Sequence, residues 1–279
     1  MSAARPAPRT VRLEPSRGLG RALSPGELWA YRDVALQLAV RDLKVRYRQT
    51  ALGVAWAVLQ PLLTMVVFTV FFGRLAHVPS EGGSYALTAL AALVPWTFFS
   101  NALTVSSQSL LANVALVSKI YFPRVYIPAG AVAAALADLL VGIVLLLATV
   151  LAYGRTPSAG ALALPLLAAV AAAAALGVGA AAAALSVRYR DVRFVVPFAV
   201  QLLLFVSPVA YPATIVPEPW RTVFAANPLV GVIEGFRWAA LGTPAPWSAI
   251  GISAAAAAVL LAAGLLYFER AERGFADVV

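Results

Sequence analysis

The chain has no cysteine and only one histidine, His77, in 279 residues. The first absence excludes disulfides, thiolate metal sites and cysteine nucleophiles. The second leaves His77, beside Pro79 and with no ligand-type neighbours, as an interfacial residue rather than a metal or catalytic group. Charge is scarce too, at 12% of residues against about 25% in ordinary globular proteins. No Gly-rich phosphate loop with a Lys-Ser/Thr ending occurs, so the chain does not hydrolyse nucleotides alone. An integral-membrane enzyme acting on lipid phosphates would need a general base, and the sequence offers only scattered arginines.

Apolar residues dominate instead, at 62% of the chain with a mean hydropathy of +0.86. The 23 residues Ala51–Gly73 carry no formal charge, and an apolar helix needs only about 20 to cross a hydrocarbon core of about 30 Å. Five further runs read as spans: Tyr85–Val105, Pro128–Tyr153, Ala161–Val187, Phe194–Tyr211 and Ser248–Phe268. The net charge of +9 therefore reads as topology rather than as an affinity for nucleic acid. With both termini cytoplasmic, all of the 21 Lys and Arg residues except Arg74, Arg155, Arg221 and Arg237 fall on the cytoplasmic side. That is the bias the positive-inside rule demands.

The segments between spans have character of their own. Residues 1–23, rich in Arg, Pro and Ala, read as a disordered cytoplasmic tail, neither a signal peptide nor a span. Ser24-Pro25-Gly26-Glu27 reads as a capping box that opens an amphipathic interface helix within residues 24–50. Leu28, Tyr31, Ala35 and Leu38 share one face of that helix, with Arg32, Asp33 and Arg41 on the other. Its basic flank, Arg41, Lys44, Arg46 and Arg48, precedes the first span. Gln108–Lys119 is moderately apolar and ends at Tyr121-Phe122-Pro123-Arg124, where proline breaks a helix. Arg188-Tyr189-Arg190-Asp191-Val192-Arg193 is a topogenic loop, a docking point for a cytoplasmic protein, or a phosphate site. Pro212–Trp247 is too apolar for a solvated loop, and two short helices dipping back into the outer membrane half fit it. Within it, Glu234 and Arg237 are spaced to pair on one helical face.

Two features bear on chemistry inside the bilayer. Asp138 sits in the middle of span three, where a carboxylate is either functional or a paired structural group. Trp56, Phe68, Phe71 and Phe72 on span one, with Trp96, Phe98 and Phe99 on span two, are anchors or packing groups, or faces for sugar rings. Gly177, Gly179 and the alanines around them permit close helix approach in span four.

Taken together, the motifs resemble those of the type-two ABC exporter permeases, in the polysaccharide, O-antigen and teichoic-acid export branch. Leu52-Gly53-Val54-Ala55-Trp56 with Leu59-Gln60-Pro61-Leu62-Leu63 looks like that family's first-span signature. Val117-Ser118-Lys119-Ile120-Tyr121-Phe122-Pro123-Arg124 and Arg188-Tyr189-Arg190-Asp191-Val192 resemble its cytoplasmic segments after spans two and four. Ser207-Pro208-Val209-Ala210-Tyr211-Pro212 and Asn227-Pro228-Leu229 with Glu234-Gly235-Phe236-Arg237 resemble its fifth-span end and outer helices.

The resemblance implies an all-α integral membrane fold. It has six transmembrane helices over residues 51–268, re-entrant outer helices between spans five and six, and a cytoplasmic tail, 269–279. It further implies a homodimer in the bacterial inner or plasma membrane, served by two cytoplasmic ATPase subunits that hold ATP and Mg, this chain binding no cofactor, metal or nucleic acid. The substrate implied is a lipid-linked glycan, and a drug or glycolipid efflux permease is the alternative. On this reading Trp56, Phe68, Phe72, Trp96 and Phe99 line the conduit, and Arg46, Arg48, Arg188 and Arg190 capture the lipid diphosphate. Leu28, Tyr31, Lys119 and Arg124 couple to the ATPase.

Overall fold

The computed structural model describes residues 26, 31–47, 55–80, 83–119, 122–272 and 274–275. Leu28 and Arg48 lie outside them, as does the side chain of Lys119. The described residues form helices and no strand: α1 (Arg32–Tyr47), α2 (Ala55–Phe68), α3 (Tyr85–Ala112), α4 (Val114–Lys119), α5 (Tyr126–Ala152), α6 (Leu164–Arg188), α7 (Val192–Val206), α8 (Glu218–Ala225), α9 (Pro228–Leu241) and α10 (Trp247–Glu272). Beyond Phe68, α2 continues in wider π turns over Thr69–Leu75. A short 3-10 turn, Ala159–Ala163, leads into α6.

Five of these helical stretches are long and apolar enough to cross a membrane: Ala55–Leu75, Tyr85–Ala112, Tyr126–Ala152, Ala159–Arg188 and Trp247–Glu272. The expected span Phe194–Tyr211 is shorter than the sequence suggests. Helix α7 stops at Val206 after 15 residues, about 22 Å at about 1.5 Å per residue. The cause is Pro208, whose ring disfavours helical backbone at the residue before it. Ser207 accordingly is extended (φ −113°, ψ 150°).

Helix α3 is the axis of the bundle. It is buried almost all round and packs on α2, α5, α6, α7 and α9. Helices α6 and α10 make the most extensive pair, with α9 wedged against both. By contrast α2 and α7 flank the bundle and leave long apolar faces open, among them Val66, Val67 and Phe71 on α2 and Phe194, Phe198 and Phe205 on α7.

Helix α1 keeps the predicted face. Tyr31, Val34 and Ala35 pack with Leu38 into a cluster built from Leu110, Phe122, Val125, Tyr126, Ile127 and Phe268. Its direction is the surprise. Leu38 lies against Gly130, and about two turns further along both helices Arg46 pairs with Asp138. Thus α1 runs beside the first half of α5 in parallel with it, instead of standing apart as a surface helix.

Candidate functional site

Helices α2, α3 and α5 enclose a cavity of about 260 Å³ on the face where α1 ends. Most of its wall is apolar, but Arg46, Gln60, Thr97, Asn101 and Asp138 enter it, and Trp56 stands half-exposed at its side. Asp138 comes from the middle of α5 and Arg46 from the last turn of α1, so the carboxylate deep in this helix is paired. Both side chains are roughly three-quarters covered, with exposures of 23% and 22%. The side-chain amides of Gln60 and Asn101 make no hydrogen bond among the described residues.

The five aromatic residues expected to form a track divide. Trp56 borders the cavity. Phe68 and Phe72 lie with ring centroids 5.2 Å apart and planes tilted by 46°, at the end of α2 and in the π turns that continue it, each partly covered. Trp96 and Phe99 are buried in the main core with Phe98. Those two pack in the core around the central helix α3, while Phe98 on the same helix lines the cavity. Sequence spacing locates aromatic residues along a span without revealing that the span is surrounded.

At the basic end of the bundle, Arg188 and Arg190 stand exposed in the turn between α6 and α7. Arg188 lies over the Tyr189 ring at 5.5 Å. Neither belongs to the cavity that Arg46 lines. The short helix α4 follows α3 directly after Asn113, whose side-chain oxygen accepts from Arg41 at 2.9 Å. Arg124 is engaged within the chain. Its guanidinium donates to the Glu272 carbonyl at 3.3 Å and faces the Glu272 carboxylate at 3.9 Å. It also lies 5.9 Å from the Phe275 ring, and Phe275 meets Phe268 edge-on at 5.9 Å. The segment after α4 is thus tied to the end of α10.

At the opposite end the two short helices expected between Pro212 and Trp247 are present as α8 and α9. Asn227 caps α9 by accepting from Leu229 N–H at 3.0 Å, and Pro228 takes the first helical position. The predicted Glu234–Arg237 pair forms at 2.8 Å and is buried. Its wider role was not legible from spacing. Arg237 also donates to the carbonyls of Val209 (3.2 Å), Tyr211 (3.2 Å) and Thr88 (3.4 Å). Glu234 accepts from Ala213 N–H at 3.0 Å. Tyr85 O–H donates to Ala210 O at 2.7 Å, and Asn227 Nδ2 donates to Ser207 Oγ at 3.0 Å. In the unwound stretch after α7, the carbonyls of Val209, Ala210 and Tyr211 and the Ala213 N–H are therefore met by side chains from α3 and α9.

Comparison with known proteins gives this architecture a family. The chain is 27% identical over 248 residues, 88% of its length and 95% of the relative's, to a Klebsiella pneumoniae protein named O-antigen export system permease protein RfbA. A Myxococcus xanthus protein of the same name is 28% identical over 261 residues, covering 91% and 98% of the two chains. The Escherichia coli polysialic acid transport protein KpsM is 25% identical over 205 residues, covering 73% and 80%. Residues 34–241 match the ABC-2 type transporter family. With several helices able to cross a membrane and a family match over most of its length, the chain is a multi-pass membrane protein that belongs to the ABC-2 type transporter family.

Proposed function

We propose that the chain is the permease subunit of an exporter that moves a lipid-linked polysaccharide across the bacterial inner or plasma membrane. The observation that carries this reading is the near full-length likeness to chains named as O-antigen export permeases. Two copies form the passage and two cytoplasmic ATPase subunits drive it, with both termini of the permease on the cytoplasmic side. The chain crosses six times, the fifth crossing being α7 completed by the unwound Ser207–Tyr211. Non-helical backbone is tolerated at membrane depth when protein shelters it, and the bonds from Arg237, Tyr85 and Asn227 are such shelter.

Deleting the gene is expected to strip the surface polysaccharide and leave lipid-linked glycan on the cytoplasmic side, read by surface labelling beside lipid extraction. Unchanged surface glycan, or a changed drug tolerance as the only effect, would count against the reading.

The ATPase docks on Leu28 and Tyr31, which precede α1 in the sequence, on α4 with Lys119, and on the segment around Arg124. Reversing charge at Lys119 and Arg124 together should lower export about tenfold or more, with insertion intact. Because Arg124 already holds Glu272, the control adds Glu272→Arg, which restores that link. Export that stays low in the triple variant points to docking, whereas recovered export assigns Arg124 a purely internal role. Arg46, Arg48, Arg188 and Arg190 draw the carrier's diphosphate to the mouth, and the α2 aromatic residues Trp56, Phe68 and Phe72 form the weak, sugar-tolerant face of the path.

A further inference from the structure

The cavity between α2, α3 and α5 holds a combination that packing alone does not require. Gln60 and Asn101 bring two side-chain amides without hydrogen-bond partners among the described residues into a space walled largely by apolar groups. Gln60 is exposed on α2 and Asn101 half-buried on α3, and membrane-spanning helices normally satisfy their polar groups internally. Beside them stands Arg46, a guanidinium suited to two parallel bonds with a carboxylate or phosphate, held by Asp138. Trp56 adds an apolar ring face at the rim. Anion donor, free amides and aromatic face together match a phosphate ester attached to a polyhydroxylated ring. The volume of about 260 Å³ lies just below the range of ordinary ligand pockets, about 300–1,000 Å³. It admits a head group and not a polymer.

Resting on the export reading above, we propose that this cavity receives the phosphate and first sugar of a lipid-linked glycan. In it, Asp138 acts as a latch that holds Arg46 until the phosphate takes its place. Asp138 keeps Arg46 neutralised and oriented while the site is empty. An entering diphosphate carries two negative charges against the carboxylate's one and exchanges one partner of Arg46 for another. The sugar hydroxyls then supply the missing partners of Gln60 and Asn101. The same exchange makes release possible, because Asp138 competes for Arg46 as soon as the head group moves on. Asp138 is thus a positioning residue, and the head group's own contacts are Arg46 and the two amides.

The test is equilibrium binding to the full chain in lipid nanodiscs, with farnesyl diphosphate, glucose 1-phosphate and farnesol as probes. Asp138→Asn removes the competitor and should tighten farnesyl diphosphate about tenfold or more, a gain of about 1.4 kcal/mol. Arg46→Gln combined with Asp138→Asn keeps a neutral polar pair, so it preserves the fold if Asp138→Asn alone does not. That double variant should bind about tenfold more weakly than the unmodified chain. Farnesol should show no dependence on either change. Equal binding by the double variant and the unmodified chain, or no tightening by a folded Asp138→Asn, overturns the proposal. Glucose 1-phosphate binding as tightly as farnesyl diphosphate would assign the cavity to soluble sugar phosphates and overturn the lipid-linked version. Failure here in a strain that still displays its polysaccharide touches this inference alone. Loss of the export reading would instead show as surface glycan that persists after gene deletion.

Discussion

Arg237→Ala is expected to abolish the folded permease. The side chain is 1% exposed and its partner Glu234 is buried beside it. Removing one member of a buried pair leaves an uncompensated charge, at a cost of about 3–5 kcal/mol. Here the loss goes further, because the carbonyls of Val209 and Tyr211, outside any helix, lose their donor in the same stroke. Each orphaned group adds about 1–3 kcal/mol, and a whole domain is stable by only about 5–15 kcal/mol. Two further variants separate charge from geometry. Arg237→Lys keeps the charge, but a compact ammonium cannot span acceptors arranged around a planar fork, so most of the loss should persist. Glu234→Gln with Arg237→Met removes the buried charges, a change that is often neutral for an isolated pair. It should still destabilise this protein, because the unwound stretch after α7 keeps its unmet carbonyls. Thermal unfolding in detergent, with a gel-filtration check for aggregation, reads all three. A melting temperature for Arg237→Lys within a few degrees of the unmodified chain would show that the carbonyl bonds matter little.

The same residues show how far the sequence could be read. The Glu234–Arg237 pair was legible because three positions along a helix bring two side chains onto one face. The other partners of Arg237 lie 149, 28 and 26 positions away, and no local rule connects them. Likewise Asp138 announced itself as a carboxylate in a span. Its pairing with Arg46 crosses 92 positions and depends on α1 running beside α5. Span existence was readable from composition, since apolar runs are a local property. Span ends were less so: Ser207-Pro208 carried the signal that stops α7, yet the apolar residues beyond it suggested a longer helix. The buried Trp96 and Phe99 mark the remaining gap. Apolar periodicity reports which residues lie on one face, but α3 is covered on most of its faces, and in a membrane both lipid and protein neighbours accept phenylalanine.

The glycines of α6, Gly177 and Gly179, were legible as small residues, whereas Gly264 on α10 carried no such signal, and the structure makes Gly264→Ala the second severe substitution. A Cβ on Gly264 would stand 2.0 Å from the carbonyl oxygen of Gly177, and one on Gly177 would stand 2.4 Å from that of Leu260. The obstacle in both cases is backbone already committed to helical hydrogen bonds, so it cannot swing aside as a side-chain tip would. The helices must part, and α6 with α10 is the most extensively packed pair in the fold. Between membrane helices that packing is itself the main attraction, because lipid tails are as apolar as leucine. Overpacking a well-filled contact costs about 1–3 kcal/mol, and a backbone clash belongs at or beyond the top of that range. Gly251 on the same helix supplies the control, since a Cβ there meets nothing within 4 Å. Gly251→Ala should be neutral or slightly stabilising, because alanine restricts the unfolded chain, whereas Gly264→Ala should melt several degrees lower and export poorly. If Gly264→Ala matched Gly251→Ala in both melting and export, the tight crossing would not stand.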